Sequence, residues 1–428
     1  MTLDTAKGTR DVFPQDMLIM QNILRVFKQT FQVYGFNPLD TPILERFETL
    51  ASKYTGGAEI LKETFQLQDQ GERKLGLRYD LTVPFSRFIA MNPTMKMPFK
   101  RYQIGKVFRD GPVSSSRLRE FTQCDCDVVG TSSLAADAEC VLLFYDVFHT
   151  LDVNIVVRVN NRKILDAIME SVRIPQSQRS SVILAIDKLD KKSTKDVMKE
   201  IADLKISHKT IDALFSLILV TGTNEKKLAF LEEKLGLCDG IVEMRSLLSF
   251  CSSSGVSFIP SLARGLAYYT GSIFEVYEVG KEQLGALGSG GRYDTMIGSL
   301  LGSGEYPAVG CSFGLDRIML TLKDRQKHIP QTVVTAYVIP IGVSLSEVWP
   351  FIVALRQKKI AVDCDLMGRS ISKNLNYVNT MNIPLSIIIG KKELDAKSAT
   401  VRDMVSGKEE LVSLKTLSQY LMKKGGKV

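Results

Sequence analysis

The chain of 428 residues is poor in the features that mark metal-binding and membrane proteins. Its seven cysteines form no CxxC pair, and its three histidines, His149, His208 and His328, stand far apart. These spacings argue against a structural zinc site. No apolar run approaches the roughly 18 residues that cross a bilayer, and the opening residues lack the order of a signal peptide. We therefore expect a cytoplasmic protein without a membrane segment.

What the chain has is an ordinary globular composition, 45% hydrophobic and 24% charged, and a length typical of about two to four domains. The net charge is +8, and residues 331–428 hold 14 Lys and Arg against 8 Asp and Glu. This excess of positive charge at the C-terminal end would attract a polyanion such as RNA. A solvated lysine-rich surface is the other interpretation.

Residues 99–130 predict a long hairpin, with two alternating strands joined by the basic loop RDGPVSSSRLRE. One face of the hairpin is polar and carries Arg101, Gln103, Arg109, Gln123, Asp125 and Asp127. The opposite face carries Tyr102, Ile104, Phe108, Cys124, Cys126 and Val128, so both cysteines are expected to be buried thiols. The polar face is either solvated or meets a ligand, because unpaired polar groups inside a sheet are costly.

The residues before this hairpin begin with an amphipathic helix, for which Asp16 is a candidate cap and Gly35 the end. FNPLDTPILE follows as an extended segment. A strand then ends at Leu77, and a helix is expected from about Pro84. Between them, Asp80 and Thr82 either bind an ammonium group or cap that helix.

After the hairpin, residues 135–150 predict a helix, and 172–250 predict an inserted helical module whose lysines face either solvent or nucleic acid. Arg264 is expected in a tight Arg-Gly turn ahead of two tyrosines. The spacing of Gly288, Gly290 and Gly291 predicts a glycine-rich turn near a ligand. A strand over 308–313 should lead into a helix with Arg317 near its start.

The C-terminal region alternates strands and helices, which predicts a mostly parallel sheet. The strands are AYVIPIG, IAVDCDL and LSIIIG, followed by a hairpin that turns at Gly407. Pro350 predicts that the first of these helices begins near it or kinks there.

Together these motifs resemble those of histidyl-tRNA synthetases, a family of class II aminoacyl-tRNA synthetases, along essentially the whole chain. FRDGPVSSSRLREF is similar to class motif 2 and GLDRIML to motif 3, while LARGLAYYTG and GSGGRYD are similar to two peptides particular to the histidyl family. The resemblance implies an α+β catalytic domain with an antiparallel sheet over residues 1–325, interrupted by the helical insertion at 172–250. A C-terminal α/β anticodon-binding domain would occupy residues 331–428.

The family's reaction joins histidine to tRNA(His) after ATP activates the amino acid, and it needs cations at the phosphates. By resemblance, Arg109 would bind the α-phosphate and carboxylate region, Arg117 the γ-phosphate, and Arg317 the other side of ATP. Arg264 would be the catalytic cation at the α-phosphate, and Mg²⁺ would bridge the phosphates without a dedicated protein site.

Recognition of histidine needs partners for the ring and for the α-amino group. By resemblance, the imidazole would meet Asp127, Tyr268, Tyr269 and Tyr293, and the α-amino group would meet Asp80, Thr82 and Gln123. Such a pocket should reject isosteres that lack the ring nitrogens, because its own polar groups would then stay unpaired.

The chain departs from the family pattern at three places. Ala267 stands where many relatives have Asp, Asp127 stands where many bacterial members have Glu, and the loop GPVSSS is poorer in charge than most. We expect altered loop support and a slightly different pocket, with the chemistry kept because Arg264 is present.

GRSISKNLNYV is similar to the family's anticodon-binding peptide and, with the C-terminal positive charge, predicts RNA contact. A basic domain without an RNA role is the alternative. The family also implies a homodimer. Two non-enzymatic alternatives are a regulatory subunit of ATP phosphoribosyltransferase, which would lack the C-terminal domain and ATP-site arginines, and a tRNA sensor, which would accompany a kinase domain.

Overall fold

The computed structural model describes residues 3–52, 59–114, 117–252, 254–264, 268–302, 304–325 and 331–425. The chain folds into two compact units. The first comprises residues 1–10 and 23–321, and the second comprises residues 11–22 and 322–428. The predicted domain bounds, 1–325 and 331–428, stay a prediction. The helical stretch 172–250 belongs to the first unit.

The first unit is built on an eight-stranded sheet with the order β1-β5-β6-β11-β10-β9-β7-β8. Five of its seven pairings are antiparallel, and β1–β5 and β7–β8 are parallel. This agrees with the predicted antiparallel class of sheet. The strands are β1 (Asn37–Pro38), β5 (Phe99–Phe108), β6 (Glu120–Val129), β7 (Ile155–Asn161), β8 (Val256–Phe258), β9 (Ser272–Glu278), β10 (Gly288–Arg292) and β11 (Ala308–Gly314).

A second, three-stranded antiparallel sheet precedes the hairpin and consists of β2 (Leu44–Arg46), β3 (Gln66–Gln68) and β4 (Lys74–Leu77). Helices occupy much of the remaining chain up to residue 325. They are α1 (Pro14–Val33), α2 (Phe47–Ser52), α3 (Glu59–Lys62), α4 (Thr82–Met91), α5 (Leu134–Thr150), α6 (Arg162–Ser171), α7 (Gln176–Ile186), α8 (Thr194–Asp203), α9 (His208–Ile218), α10 (Asn224–Leu235), α11 (Asp239–Phe250), α12 (Met296–Leu301) and α13 (Leu315–Arg325). The predicted helicity of 172–250 is confirmed.

An aromatic core covers the apolar face of the large sheet. The Phe313 ring on β11 lies 4.9 Å from that of Phe27 and 4.6 Å from that of Phe144, between centroids. Cys124 and Cys126 on β6 are fully buried on this face, as the alternation predicted. Because α1 and α5 cover this side, the opposite face of the strands is left for the polar residues.

Two predicted local features in the chain up to residue 325 are wrong. Asp16 does not precede the first helix but lies in its first turn, because the helix begins at Pro14, a residue suited to that place. The glycines at 288, 290 and 291 form strand β10 instead of a turn. A Cβ at Gly290 would lie 2.8 Å from Cys311 Cα, so the close approach of neighbouring strands accounts for glycine there.

The second unit holds a five-stranded sheet with the order β13-β12-β14-β15-β16. The first three strands in this order are parallel, and the last two pairings are antiparallel. Its elements are β12 (Ala336–Ile341), α14 (Leu345–Gln357), β13 (Val362–Cys364), α15 (Ile371–Thr380), β14 (Leu385–Gly390), α16 (Lys391–Asp395), β15 (Ser398–Asp403), β16 (Glu409–Ser413) and α17 (Leu417–Gly425). The alternating order and the hairpin at Gly407 are confirmed.

Pro350 lies inside α14, so the prediction that this helix begins near it is wrong. The helix start is set instead by a capping box between Ser344 and Glu347, in which the Glu347 carboxylate accepts the Ser344 backbone N–H over 2.7 Å. No helix in the described ranges is long and apolar enough to cross a bilayer.

Candidate active site

The polar face of the large sheet is continuous across its central strands. The register places residues directly opposite one another in two neighbouring rows, so each row shares a face. One row is Arg101, Asp127, Gly310 and Gly291, and the next is Gln103, Asp125, Ser312, Ser289 and Glu275. Arg101, Gln103, Asp125 and Asp127 are each at most 4% exposed. The alternative of a solvated hairpin face is therefore wrong.

Asp127 is the centre of this face and has two partners. Its Oδ2 lies 2.7 Å from Arg101 Nη2, and the Tyr293 hydroxyl donates to its Oδ1 over 2.5 Å. Burial raises the pKa of the Asp127 carboxyl, while Arg101 and the Tyr293 hydrogen bond oppose that shift. A buried carboxylate with a cation and a phenol is suited to accept a hydrogen bond from an imidazole N–H.

The space beside Asp127 depends on glycines of two adjacent strands. A Cβ on Gly310 would lie 2.8 Å from Asp127 Cγ, and one on Gly291 would lie 2.8 Å from the Tyr269 ring. Neither position has room for a side chain without displacing a residue of the candidate pocket. The glycine pattern thus permits close approach of site side chains to the backbone.

Three tyrosines stand together at this place. The rings of Tyr268 and Tyr269 have centroids 4.6 Å apart, and Tyr268 meets Tyr293 edge to face at 6.2 Å and 89°. Tyr269 and Tyr293 are buried. Burial raises the pKa of Tyr268 and of Tyr293 well above the ordinary value, so both hydroxyls are neutral donors near pH 7. The predicted aromatic residues are thus brought together with Asp127.

The residues predicted for the α-amino group are arranged around the start of α4. Asp80 Oδ1 accepts the Val83 backbone N–H over 3.0 Å, so the capping interpretation of Asp80 is correct. The charge of Asp80 also acts on Asp127 and on Tyr268, which indicates that it faces the same space. Thr82 is the first residue of α4. Gln123 Oε1 is buried without a hydrogen-bond partner among the described residues.

Two of the four predicted arginines are held by backbone carbonyls. Arg109 Nε donates to Tyr79 O over 3.1 Å, and its guanidinium lies 5.0 Å from the Phe121 ring centroid. Arg317, in the first turn of α13, donates to Ala286 O over 2.7 Å. These contacts use one nitrogen each and fix the direction of the guanidinium.

The other two predicted arginines are paired with glutamates. Arg117 Nη2 lies 2.6 and 2.7 Å from the two carboxylate oxygens of Glu63, at a half-exposed position. Arg264 forms an ion pair with Glu275, the end of the second polar row, and its Nε is buried without a partner among the described residues. Ala267, the predicted departure, lies outside the described residues.

Three residues of this face had no predicted role. Arg101 is fully buried, pairs with Asp127 and lies 4.2 Å from the Phe85 ring centroid. Burial raises the pKa of Asp125 to about 7, with the charge of Asp127 adding to the effect and Arg101 opposing it. Glu275 holds Arg264. Strand alternation already put Arg101 and Asp125 on the polar face, and it could also have singled out Glu275 in the apolar strand SIFEVYE.

In the second unit, the candidate RNA peptide begins in the loop ahead of α15 and continues through most of that helix. Asp365 Oδ2 accepts the Arg369 backbone N–H over 2.6 Å and the Asn374 side-chain amide over 2.9 Å. The Arg369 guanidinium lies 4.8 Å from the Tyr377 ring centroid, and Met367 is 73% exposed. A cation, an aromatic ring and an exposed apolar side chain are the kinds of group that contact unstacked bases.

Comparison with known proteins decides the family. Residues 8–318 match the family model described as histidyl-tRNA synthetase, and residues 335–424 match an anticodon-binding domain. The chain belongs to the histidyl-tRNA synthetase family. Histidine–tRNA ligase 1 of Bacillus cereus is 40% identical over 98% of this chain and 100% of its own length. The cytoplasmic histidine–tRNA ligase of Dictyostelium discoideum is 34% identical over 95% of this chain and 88% of its own length.

The fold agrees with this family. The crystal structure of histidyl-tRNA synthetase from Nostoc sp. PCC 7120 superposes with a TM-score of 0.87, covering 99% of both chains at 27% identity. A Bacillus halodurans protein titled ATP phosphoribosyltransferase regulatory subunit/histidyl-tRNA synthetase has a TM-score of 0.73 at 20% identity, over 91% of this chain and 98% of its own. That second likeness concerns the fold alone. The class II catalytic fold and the separate C-terminal domain predicted from the sequence are confirmed.

Proposed function

We propose that the chain activates L-histidine with ATP, releasing pyrophosphate, and then transfers the histidyl group to the 3′ end of tRNA(His). The observation that carries this proposal is the buried Arg101–Asp127–Tyr293 cluster beside Tyr268 and Tyr269. It offers a charged acceptor and phenol groups to an imidazole, in a family of this activity.

In this proposal the histidine ring lies between Asp127 and the three tyrosines, Tyr268, Tyr269 and Tyr293. The α-amino group is bound by Asp80, Thr82 and Gln123. The buried Gln123 Oε1 supports this, because an ammonium N–H would satisfy an acceptor that has no partner among the described residues. The charge of Asp80, which acts on both Asp127 and Tyr268, would favour a cation in the same space.

ATP would be held by the arginines, since guanidinium groups bind phosphate in fixed, bidentate geometry. Arg109 and Arg264 act at the α-phosphate, where the carboxylate of histidine attacks in line, and Arg317 and Arg117 hold the rest of the nucleotide. Arg117 must leave Glu63 to reach the γ-phosphate. Breaking the Arg117–Glu63 ion pair costs little free energy, because a half-exposed ion pair contributes about 0–1 kcal/mol.

Mg²⁺ would enter with ATP, bound to its phosphates. No group of three or more His, Cys, Asp or Glu side chains suited to a metal ion occurs in the described ranges. The proposed chemistry assigns no step to the metal ion.

The regulatory-subunit alternative is disfavoured by two features. The anticodon-binding domain is matched over residues 335–424, and all four arginines proposed for ATP are present in the sequence. We further propose that the C-terminal unit binds tRNA(His) through the loop at Arg369, that the protein acts as a homodimer, and that it works in the cytoplasm.

The test is histidine-dependent exchange between ATP and labelled pyrophosphate, comparing the wild type with Arg264→Ala. Exchange that requires histidine and collapses in this variant supports both adenylation and the role of Arg264. Arg46→Ala, at a side chain that is 73% exposed, is the matched control and should exchange normally. A folded wild type that exchanges with no amino acid would refute the enzymatic proposal.

A further inference from the structure

A chain of contacts extends from Arg264 to the helical stretch 172–250. Arg264 pairs with one oxygen of Glu275, and the Tyr277 hydroxyl lies 2.5 Å from the other. The same hydroxyl lies 2.9 Å from Asp190 Oδ2, at the end of the short 3₁₀-helix Asp187–Asp190 that follows α7. The contacts therefore run Arg264–Glu275–Tyr277–Asp190.

The two middle residues of this series of contacts, Glu275 and Tyr277, are shielded from water. Tyr277 is 3% exposed and Glu275 is 8% exposed, whereas the Asp190 side chain is 47% exposed. A hydrogen bond from a buried hydroxyl to a carboxylate is strong, because the alternative is a desolvated, unpaired charge. The Tyr277 hydroxyl therefore helps to orient the Glu275 carboxylate, and with it the guanidinium of Arg264.

Asp190 also lies near Arg158 on strand β7 of the large sheet. Arg158 Nη1 lies 3.8 Å from Asp190 Oδ1, and its guanidinium stacks on the Tyr277 ring at 4.4 Å. An open cleft of about 720 Å³ lies beside these residues, lined also by Leu189 and Ser257. Because the cleft separates part of the helical stretch from β7 and β8, the Tyr277–Asp190 contact is a local link between them.

A hydroxyl has a single proton, and Tyr277 faces two carboxylates with it. It donates to one of them at a time, so Glu275 and Asp190 share this donor. The position of residues 187–190 then influences how firmly the Glu275 carboxylate is held. This gives the helical stretch a physical route to the guanidinium of Arg264.

We infer that Tyr277 is a positioning residue for Arg264, acting through Glu275, and that Asp190 links it to the helical stretch. The inference rests on the proposed role of Arg264 at the α-phosphate. Tyr277 is not among the residues proposed to contact histidine or ATP. Its removal should therefore lower the rate of adenylation and leave histidine binding unchanged.

The experiment measures kcat and the histidine KM of pyrophosphate exchange in the full chain. Tyr277→Phe should lower kcat about tenfold, the size expected for one hydrogen bond to a charged group, with KM within about twofold. Asp190→Ala removes the competing acceptor, so the Tyr277 hydroxyl donates to Glu275 alone and kcat should rise by up to about threefold. The double variant should match Tyr277→Phe, because Asp190 acts only through Tyr277.

Tyr145→Phe is the matched control, because it removes a hydroxyl from a tyrosine on α5 that takes no part in the Arg264–Glu275–Tyr277–Asp190 contacts. This variant should keep wild-type kinetics. The inference is overturned if Arg264→Ala is inactive while Tyr277→Phe and Asp190→Ala exchange like the wild type, and the proposed function then stands. A rise in KM at unchanged kcat also overturns it. If Arg264→Ala retains exchange, the proposed role of Arg264 itself is refuted. Because Asp190 is exposed, its variant tests the link even if Tyr277→Phe folds poorly.

Discussion

Replacing Asp125 by asparagine should stabilise the protein relative to the wild type. This stability difference should be larger at high pH than at low pH. Burial raises the pKa of this carboxyl from 3.8 to about 7 in the folded chain. An acid whose folded pKa lies above its unfolded value costs stability once it must ionise inside the protein. The cost begins near pH 4 and is complete above pH 7. At 1.36 kcal/mol for each pH unit, it reaches roughly 4 kcal/mol.

The amide introduced by this substitution would resemble the protonated acid and would not titrate. The stability advantage of Asp125→Asn over the wild type should therefore grow by roughly 2–3 kcal/mol between pH 5 and pH 8 and then level off. Equilibrium urea unfolding at several pH values measures the difference directly. Any constant contribution from the changed hydrogen bonding cancels, because only the pH dependence of the difference is used.

Asp203→Asn, at an exposed aspartate of α8, is the matched control and should show a flat difference across this range. Infrared spectroscopy gives a second measurement: a protonated carboxyl band should disappear as the pH rises from about 6 to 8 and be missing in Asp125→Asn. A stability difference that stays constant across the same pH range would refute the reasoning about Asp125.

Three further predictions concern the two units. Gly310→Ala should raise the histidine KM several-fold and destabilise the protein by about 1–3 kcal/mol, because its Cβ would lie 2.8 Å from Asp127 Cγ; kinetics and urea unfolding check this. Glu63→Gln should lower the ATP KM up to about threefold by releasing Arg117, and an unchanged or raised KM would contradict the proposed exchange of partners. Arg369→Ala should reduce aminoacylation of tRNA at least about fivefold with pyrophosphate exchange unaffected, and equal losses in both assays would count against an RNA role.

Local patterns predicted most elements of the fold, since strand alternation and helix periodicity act over a few residues. Strand β10 shows where this stops. Gly288, Gly290 and Gly291 look like a turn because glycine breaks strands in most sequences. They form a central strand here because the space of each side chain is taken by another strand or by a neighbouring aromatic ring, which no local pattern reveals.

Pro350 gives a second example of competing local signals. Proline removes one backbone donor from a helix, and it therefore predicted that the helix begins near Pro350 or kinks there. The capping box at Ser344 and Glu347 is the stronger signal, because it supplies partners to backbone N–H groups that a helix start leaves unpaired. The helix begins there and continues through the proline.

The site was predictable in part for the same reason. Alternation put Arg101, Asp125 and Asp127 on one face, but the partner of Asp127, Tyr293, is 166 residues away in the chain. The roles of single residues came from the resemblance to the family. The contact between Tyr277 and Asp190 spans 87 residues and belongs to no motif.

The two aspartates of β6 show how one buried cation can favour different charge states in two identical side chains. Arg101 is the fully buried guanidinium beside them, and it forms its ion pair with Asp127. Tyr293 adds a hydrogen bond to the same carboxylate, which favours its charged form. Asp125 is left with the weaker influence of Arg101 and with the negative charges of Asp127 and Asp80 nearby, so burial raises its pKa to about 7. A second full charge beside Arg101 would lack an ion-pair partner, and protonation of Asp125 below about pH 7 avoids it. The carboxylate that keeps the Arg101 partner is Asp127, which is where the proposed imidazole N–H would donate.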